Sequence, residues 1–405
     1  MKKAWLYLEP YTSLTINSAS EVLLYNTLNG QQFLTRSRAI AHLLHRWQAP
    51  GEGHVVEFTP APAHAPLIEW LRHTFSGDVM AAPEGRRKPV QFAPLEAMNE
   101  ERLAESRAKI SENPASLEVF FYLTAVCGAG CTYCGTYHKQ FPFCKQGDAA
   151  QAVLPLDCVT DVIEQLDPER LQTLHFLGGN LLTYPSLRPL LDELAGVAVA
   201  KAFYIHLRHL AQPEALAPFL RHDITIRLLV PETADNTRLA AVEAYLAASG
   251  GEYVLDYVVT DEPEIEAVSS QTGHERLHPF YTGEKDAFFE ENVFITADDF
   301  DSPVSLRKLY KHRLANDSFL GKILVDVDGR IYLSPNRPPV GSLSEGLGKA
   351  MDSIREPESL WFLTRERVEP CRQCVYNRLC CPISDYELRM EKFNLCRLWP
   401  LDLKK

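Results

Sequence analysis

Three cysteines fall within eight residues, Cys127-Gly-Ala-Gly-Cys131-Thr-Tyr-Cys134, separated first by three residues and then by two. Closely spaced thiolates bind soft or borderline metals, and this spacing leaves two chemistries open. A [4Fe–4S] cube usually takes four thiolates, so three cysteines hold three irons and leave the fourth free for another ligand. Zinc is the alternative, with the thiolates converging on one ion. A further cysteine follows in the loop Gly135-Thr-Tyr-His-Lys-Gln-Phe-Pro-Phe-Cys144. As a ligand it would close the open iron; as a spare thiol it would serve folding or redox chemistry. His138 and Lys139 read as loop residues, and Cys158, in a helical pattern, as a small buried one. A second group, Cys371-x2-Cys374-x5-Cys380, is followed by Cys396 after fifteen intervening residues. Its four thiolates suit one cluster or one structural zinc. Cys381 is an extra thiol beside it.

The ten cysteines all lie in these regions, five between 127 and 158 and five between 371 and 396. The N-terminal Met1-Lys2-Lys3-Ala4-Trp5-Leu6 is basic, but Glu9 and Pro10 interrupt the apolar run too early for a signal peptide. No apolar run approaches the ~20 residues that span a bilayer. A cytoplasmic protein with no membrane partner is therefore expected, and reduced thiols there serve as ligands rather than disulfides. The formal charge of −12 argues against a nucleic-acid partner.

At 405 residues, with 46% hydrophobic and 23% charged residues, the chain is long enough for two or three globular domains. Residues 1–110 carry strand patterns at Trp5–Glu9, Leu14–Ile16 and Val22–Tyr25, a turn at Asn26–Gly30, and helical patterns at Ser37–Trp47 and Pro66–Thr74. Ala81–Pro114 reads as a connector with helical character at Leu95–Ile110. From 111 to 300, strand patterns at Leu117–Val126, Thr173–Leu177, Lys201–His206, Ile224–Val230, Tyr253–Val259 and Val293–Thr296 alternate with helical ones at Leu156–Leu166, Ser186–Leu194 and Thr237–Ala248. Repeated βα units predict an α/β fold with a parallel sheet, whose chemistry gathers at the C-terminal strand ends. The cysteine triad follows the first strand, and Gly178-Gly179-Asn180 follows the second. Residues 301–405 begin with a hairpin, Lys322–Tyr332, turning at Asp328-Gly329.

The triad, the aromatic Tyr133 just before its third cysteine, and its place after a first strand resemble the radical S-adenosylmethionine (SAM) superfamily. The resemblance implies a partial (β/α)6 barrel over 111–300. Cys127, Cys131 and Cys134 would hold a [4Fe–4S] cluster whose open iron chelates SAM and cleaves it to a 5′-deoxyadenosyl radical. Gly178-Gly179-Asn180 stands where the superfamily carries Gly-Gly-Glu, which holds the amino group of SAM. Asparagine keeps an acceptor oxygen but loses the charge, so that bond weakens.

The C-terminal cysteines resemble a SPASM domain, which usually houses two auxiliary clusters. Here Tyr332-Leu333-Ser334-Pro335 and Ser384 occupy positions of first-cluster ligands. Cys371, Cys374, Cys380 and Cys396 remain, so the resemblance implies two [4Fe–4S] clusters in all, one binding SAM and one auxiliary. Residues 1–110 resemble PqqD-like winged-helix elements that bind leader peptides, with a structural cap as the alternative. Leu23-Leu-Tyr-Asn-Thr27, Lys139-Gln-Phe141 with Cys144, Gly178-Gly179-Asn180, Tyr386-Glu387 and Asn394-Leu-Cys396 resemble the pseudo-radical-SAM group of GG-Bacteroidales peptide systems. The implied function is a radical SAM maturase of a ribosomally made peptide. The alternative is a silent partner that binds the precursor or a companion maturase. Implied partners are a precursor peptide with leader and core, an electron donor such as flavodoxin or ferredoxin, and a companion radical SAM maturase.

Overall fold

Short apolar runs open the chain, and each buries itself by pairing. The computed structural model describes residues 3–49, 54–92, 100–112, 114, 116–145, 152–232, 234–268, 273–284 and 286–398. Six strands come first: β1 (Ala4–Leu8), β2 (Thr12–Ile16), β3 (Val22–Asn26), β4 (Gln32–Thr35), β5 (Val55–Phe58) and β6 (Gly77–Ala81). They form two antiparallel sheets, ordered β5-β1-β6 and β2-β3-β4. Helices Arg38–Gln48 and Ala65–His73 lay apolar stripes against them, so that Ile40, Leu44, Trp47, Leu67 and Leu71 share one core with Leu6, Val22, Leu24 and Val56. The three strands and two helices expected here are present. β4, β5 and β6 are additional, because segments of four or five residues carry too short a pattern to read and form by pairing with neighbours. The helix Glu100–Glu112 covers part of the expected Leu95–Ile110 helix; residues 95–99 lie outside the described residues.

The central sheet continues with β7 (Leu117–Tyr122), β8 (Leu171–Leu177), β9 (Ala200–His206), β10 (Ile224–Val230), β11 (Glu252–Val259) and β12 (Glu275–Pro279). All are parallel to their neighbours and ordered as in the chain. Helices Leu156–Gln165, Leu187–Leu194, Asn236–Ser249 and Glu262–Val268 form crossovers; β9 and β10 are joined by short 3₁₀ turns, Leu207–His209 and Pro213–Phe219. Alternation with period two divides each strand between two faces. Val119, Phe121, Leu174, Phe176, Phe203, Ile226, Leu228 and Leu255 pack outward beneath the helices. Phe120, Tyr122, Leu177, Tyr204, Leu229 and Val258 meet on the inner face, so the sheet curves into an open, incomplete barrel. An α/β fold with a central parallel sheet is what the repeated βα units require.

One expected strand is corrected. Ala287–Val293 is helical, and Ile295 makes only an isolated bridge to Cys396. The sixth strand is β12, whose Glu-Arg-Leu-His-Pro sequence is too polar for an apolar-run criterion and forms by pairing with β11.

The expected hairpin is β13 (Lys322–Val325) and β14 (Arg330–Tyr332), extended by β15 (Gly341–Ser342). β13 pairs in parallel with β7, so the hairpin belongs to the same nine-stranded sheet as the barrel. β3 ties the N-terminal sheets to this end of the chain: Leu23 and Tyr25 pack with Phe300, Leu309, Val375 and Leu379. The Tyr25 hydroxyl also accepts the Val304 N–H at 2.8 Å. Among the described residues, no helix is long and apolar enough to cross a membrane.

Candidate functional site

The triad occupies the loop leaving the C-terminal end of β7, and Cys134 starts a one-turn helix ending at Tyr137. All three thiols are partly buried. Burial and the neighbouring Cys134 raise the Cys127 thiol above its ordinary range. Burial pushes Cys131 up to about 11, and the other two cysteines add to this. As bare thiols they hold their protons; a bound metal's charge would reverse that. Among the described residues, no three His, Cys, Asp or Glu side chains converge on one ion position. The triad therefore fits a zinc ion poorly. It fits a cluster, whose thiolates sit on separate irons.

Gly178 and Gly179 lock the end of β8 to this loop. Gly179 N–H bonds Thr124 O, and Asn180 N–H bonds Val126 O, each at 2.6 Å. A Cβ on Gly179 would lie 2.1 Å from Val126 O and 3.1 Å from Cys127 Cβ, so only glycine permits the approach. The Asn180 side chain is occupied locally, accepting the Leu182 N–H at 3.1 Å to cap the next turn.

The loop after the triad folds back into the barrel mouth. Tyr137, Phe141 and Phe143 pack there with Phe280, their nearest ring pairs 4.7 to 5.0 Å apart, and Tyr133 joins at 5.0 Å from Phe280. Tyr137 donates its hydroxyl to Glu232. Gln140 exchanges two hydrogen bonds with Tyr281, at 2.8 and 2.9 Å. Lys145 N–H bonds Gly178 O at 3.1 Å, and its ammonium pairs with Asp326 at 2.7 Å. Cys144 is buried in this layer, and burial together with the three triad cysteines raises its thiol well above the ordinary range. His138 is buried beneath the loop, which holds it neutral at about 3. Cys158 is half-buried on the helix Leu156–Gln165, on the outer side of the sheet.

Three residues absent from the sequence reading complete the site. His206 is the last inward position of β9, and its Nε2 lies 3.4 Å from Cys131 Sγ. His209 Nε2 lies 3.3 Å from Cys127 Sγ. Burial depresses both imidazoles, to about 3 and about 4. Arg208, between them, donates to Ala129 O at 3.4 Å. The period-two pattern of Lys201–His206 was signal enough for His206, since it places residues 202, 204 and 206 on one face.

The second cysteine group is brought together as its spacing implied. Cys371, Cys374, Cys380 and Cys396 line one cavity of about 340 Å³ with Arg365, Asn377 and Ile295. Burial raises Cys371 and Cys380 and pushes Cys374 up to about 12. Arg365, also missed from sequence, is buried against Glu387 at 2.8 Å and points Nη1 at Cys371 Sγ, 3.5 Å away. A guanidinium here suits four thiolates, whose cluster carries net negative charge. Cys381 is exposed beside the cavity.

Comparison with solved structures adds the fold. Streptococcus suis SuiB bound to precursor peptide SuiA aligns with a TM-score of 0.50 at 13% identity, over 97% of this chain and 100% of that one. This chain shares the fold of SuiB. SuiB bound to S-adenosylmethionine aligns at 0.49 and 13%, with the same coverage. The enzyme anSMEcpe with bound AdoMet aligns at 0.44 and 13%, over 65% of this chain and 84% of that one. No protein-family model and no curated protein sequence matches the chain.

Against that fold, the two serines that stand in expected ligand positions are neighbours. Ser334 is buried and donates to Asp385 at 2.5 Å, and Asn336 donates to the same oxygen at 3.1 Å and to Lys139 O at 2.7 Å. Ser384 N–H bonds Glu387 at 2.9 Å, opening the helix Asp385–Met390. A hydrogen-bonded network occupies this region in place of thiols.

Proposed function

We propose that this chain is a radical SAM enzyme that modifies a ribosomally made peptide. The observation that carries the reading is the triad loop at the C-terminal end of β7, fastened to the Gly178-Gly179 turn by two 2.6 Å backbone bonds. A [4Fe–4S] cluster with one open iron would supply reductive cleavage of SAM to a 5′-deoxyadenosyl radical. Cys127, Cys131 and Cys134 would hold it, and Gly178, Gly179, Asn180 and Tyr133 would seat SAM. Cys371, Cys374, Cys380 and Cys396 would hold an auxiliary cluster, with Arg365 balancing its charge. The shared fold of SuiB, which binds the precursor peptide SuiA, supports a precursor peptide as partner. Residues 1–110 would take the leader, and the edge strands β2, β4, β5 and β6 offer unpaired backbone for strand addition. Residues 111–300 and 301–405 would form the catalytic barrel and the auxiliary domain. The remaining proposals are a cytoplasmic setting, a flavodoxin- or ferredoxin-type electron donor, and a companion maturase.

A second reading has its own observation. The aromatic loop fills the barrel mouth, Cys144 lies beside the triad, and Lys145 N–H occupies Gly178 O. A site closed in this way suits a silent partner that binds peptide. The anaerobically reconstituted protein, given SAM and dithionite, separates the two. The enzyme reading expects 5′-deoxyadenosine and about eight irons per chain, about half of them lost when Cys127, Cys131 and Cys134 become alanine. Full iron without deoxyadenosine favours the silent partner.

A further inference from the structure

The turn that follows β9 has no task in this reading, yet it touches two of the three cysteines. His206 is fully buried, and its Nδ1 accepts the Arg208 backbone N–H at 3.0 Å. A ring nitrogen that accepts a hydrogen bond carries no proton, so the ring proton sits on Nε2. That N–H faces Cys131 Sγ at 3.4 Å, within reach of an N–H···S bond. The backbone of the Leu207–His209 turn thus selects the tautomer and aims the donor. The same turn brings His209 Nε2 to 3.3 Å from Cys127 Sγ and Arg208 Nη1 to 4.0 Å from Cys131 Sγ.

We propose that His206 is a positioning residue that donates a hydrogen bond to the Cys131 thiolate and thereby raises the reduction potential of the triad cluster. This rests on the reading of the triad as a cluster site. The physical reason is charge. Reduction takes one electron from an external one-electron donor, which is oxidised, and part of the added charge falls on the cluster's sulfur ligands. A fixed N–H stabilises the more negative state more than the less negative one. Second-shell donors tune a metal centre in this sense without binding it. The effect is local, so the auxiliary cluster serves as an internal reference.

The test compares wild type with His206→Met, which removes the donor, and His206→Gln, whose side-chain amide places an N–H near the former Nε2. Each protein is reconstituted anaerobically, its iron is counted, and both cluster potentials are read by dye-mediated titration followed by EPR. The expected result is unchanged iron in all three proteins. The triad potential shifts downward in His206→Met and returns most of the way in His206→Gln, while the auxiliary potential stays fixed. Full iron with an unshifted triad potential in His206→Met overturns the proposal. Loss of about half the iron in both variants also overturns it, because His206 would then be a ligand or a scaffold. Wild type without iron at the triad defeats the underlying reading instead, and is seen before any variant is compared.

Discussion

Replacing Gly179 by alanine tests whether the glycine pair is what holds the first cysteine in place. The added Cβ would sit 2.1 Å from Val126 O, where real Cβ contacts under 3.0 Å are essentially never found. The β7 and β8 ends must therefore part by about 1 Å, and no flexible side chain can yield instead, because the obstacle is backbone. Two buried bonds cross that junction, Gly179 N to Thr124 O and Asn180 N to Val126 O. Weakening both costs about 1 kcal/mol each, and overpacking adds roughly 1–3 kcal/mol, for a loss on the order of 3–4 kcal/mol. Val126 precedes Cys127, so the displacement is passed to the first ligand. Denaturant unfolding of the apoprotein should show the lost stability, and iron analysis after reconstitution should show the triad site depleted. Gly128→Ala is the control, since nothing lies within 4 Å of its Cβ. A Gly179→Ala protein within about 0.5 kcal/mol of wild type, with full iron, would refute the reasoning.

Two further outcomes follow from single polar groups. Asn180→Glu should restore a charge-assisted bond to the amino group of SAM, worth on the order of 1 kcal/mol or about five-fold in affinity; equilibrium binding of SAM measures it, and unchanged affinity places residue 180 outside the SAM site. Because Asn180 also caps Leu182 N–H, the same variant should lose up to about 1 kcal/mol of stability. Asp385 is raised to about 6 by burial, against 3.8 ordinarily. A carboxyl with a raised folded pKa stabilises the fold below its unfolded pKa, and that contribution is lost as pH climbs through about 6. Asp385→Asn should therefore match wild type near pH 4 and exceed it by on the order of 2–3 kcal/mol above pH 7, read from denaturation at both pH values; a gain that does not change with pH contradicts the assignment.

Much of the architecture was legible because period and spacing are local properties. Strands such as Ile224–Val230 and Lys201–His206 announce themselves by dense apolar residues, since a parallel strand buries both faces. β12 did not, because Glu275, Arg276 and His278 are polar and its strand character comes from β11 alongside it. Among site residues, cysteines were visible because thiols are rare and their spacing is chemical. Arg365 and Glu387 were not visible as a pair, because a buried ion pair between residues 22 apart has no local signature.

By itself, the order of residues determined the βα succession, the two cysteine groups and the glycine pair, each of which follows from neighbours a few positions apart. Only the tertiary structure decided what surrounds them. Curvature of the sheet turned the even-numbered residues of β9 inward and set His206 against Cys131, eighty residues earlier in rough count. It also folded the Tyr137–Lys145 loop into the barrel mouth and brought Ser334 to Asp385 where thiols were expected. Such contacts depend on which strand ends lie side by side, and that is settled by packing over the whole sheet rather than by any one segment.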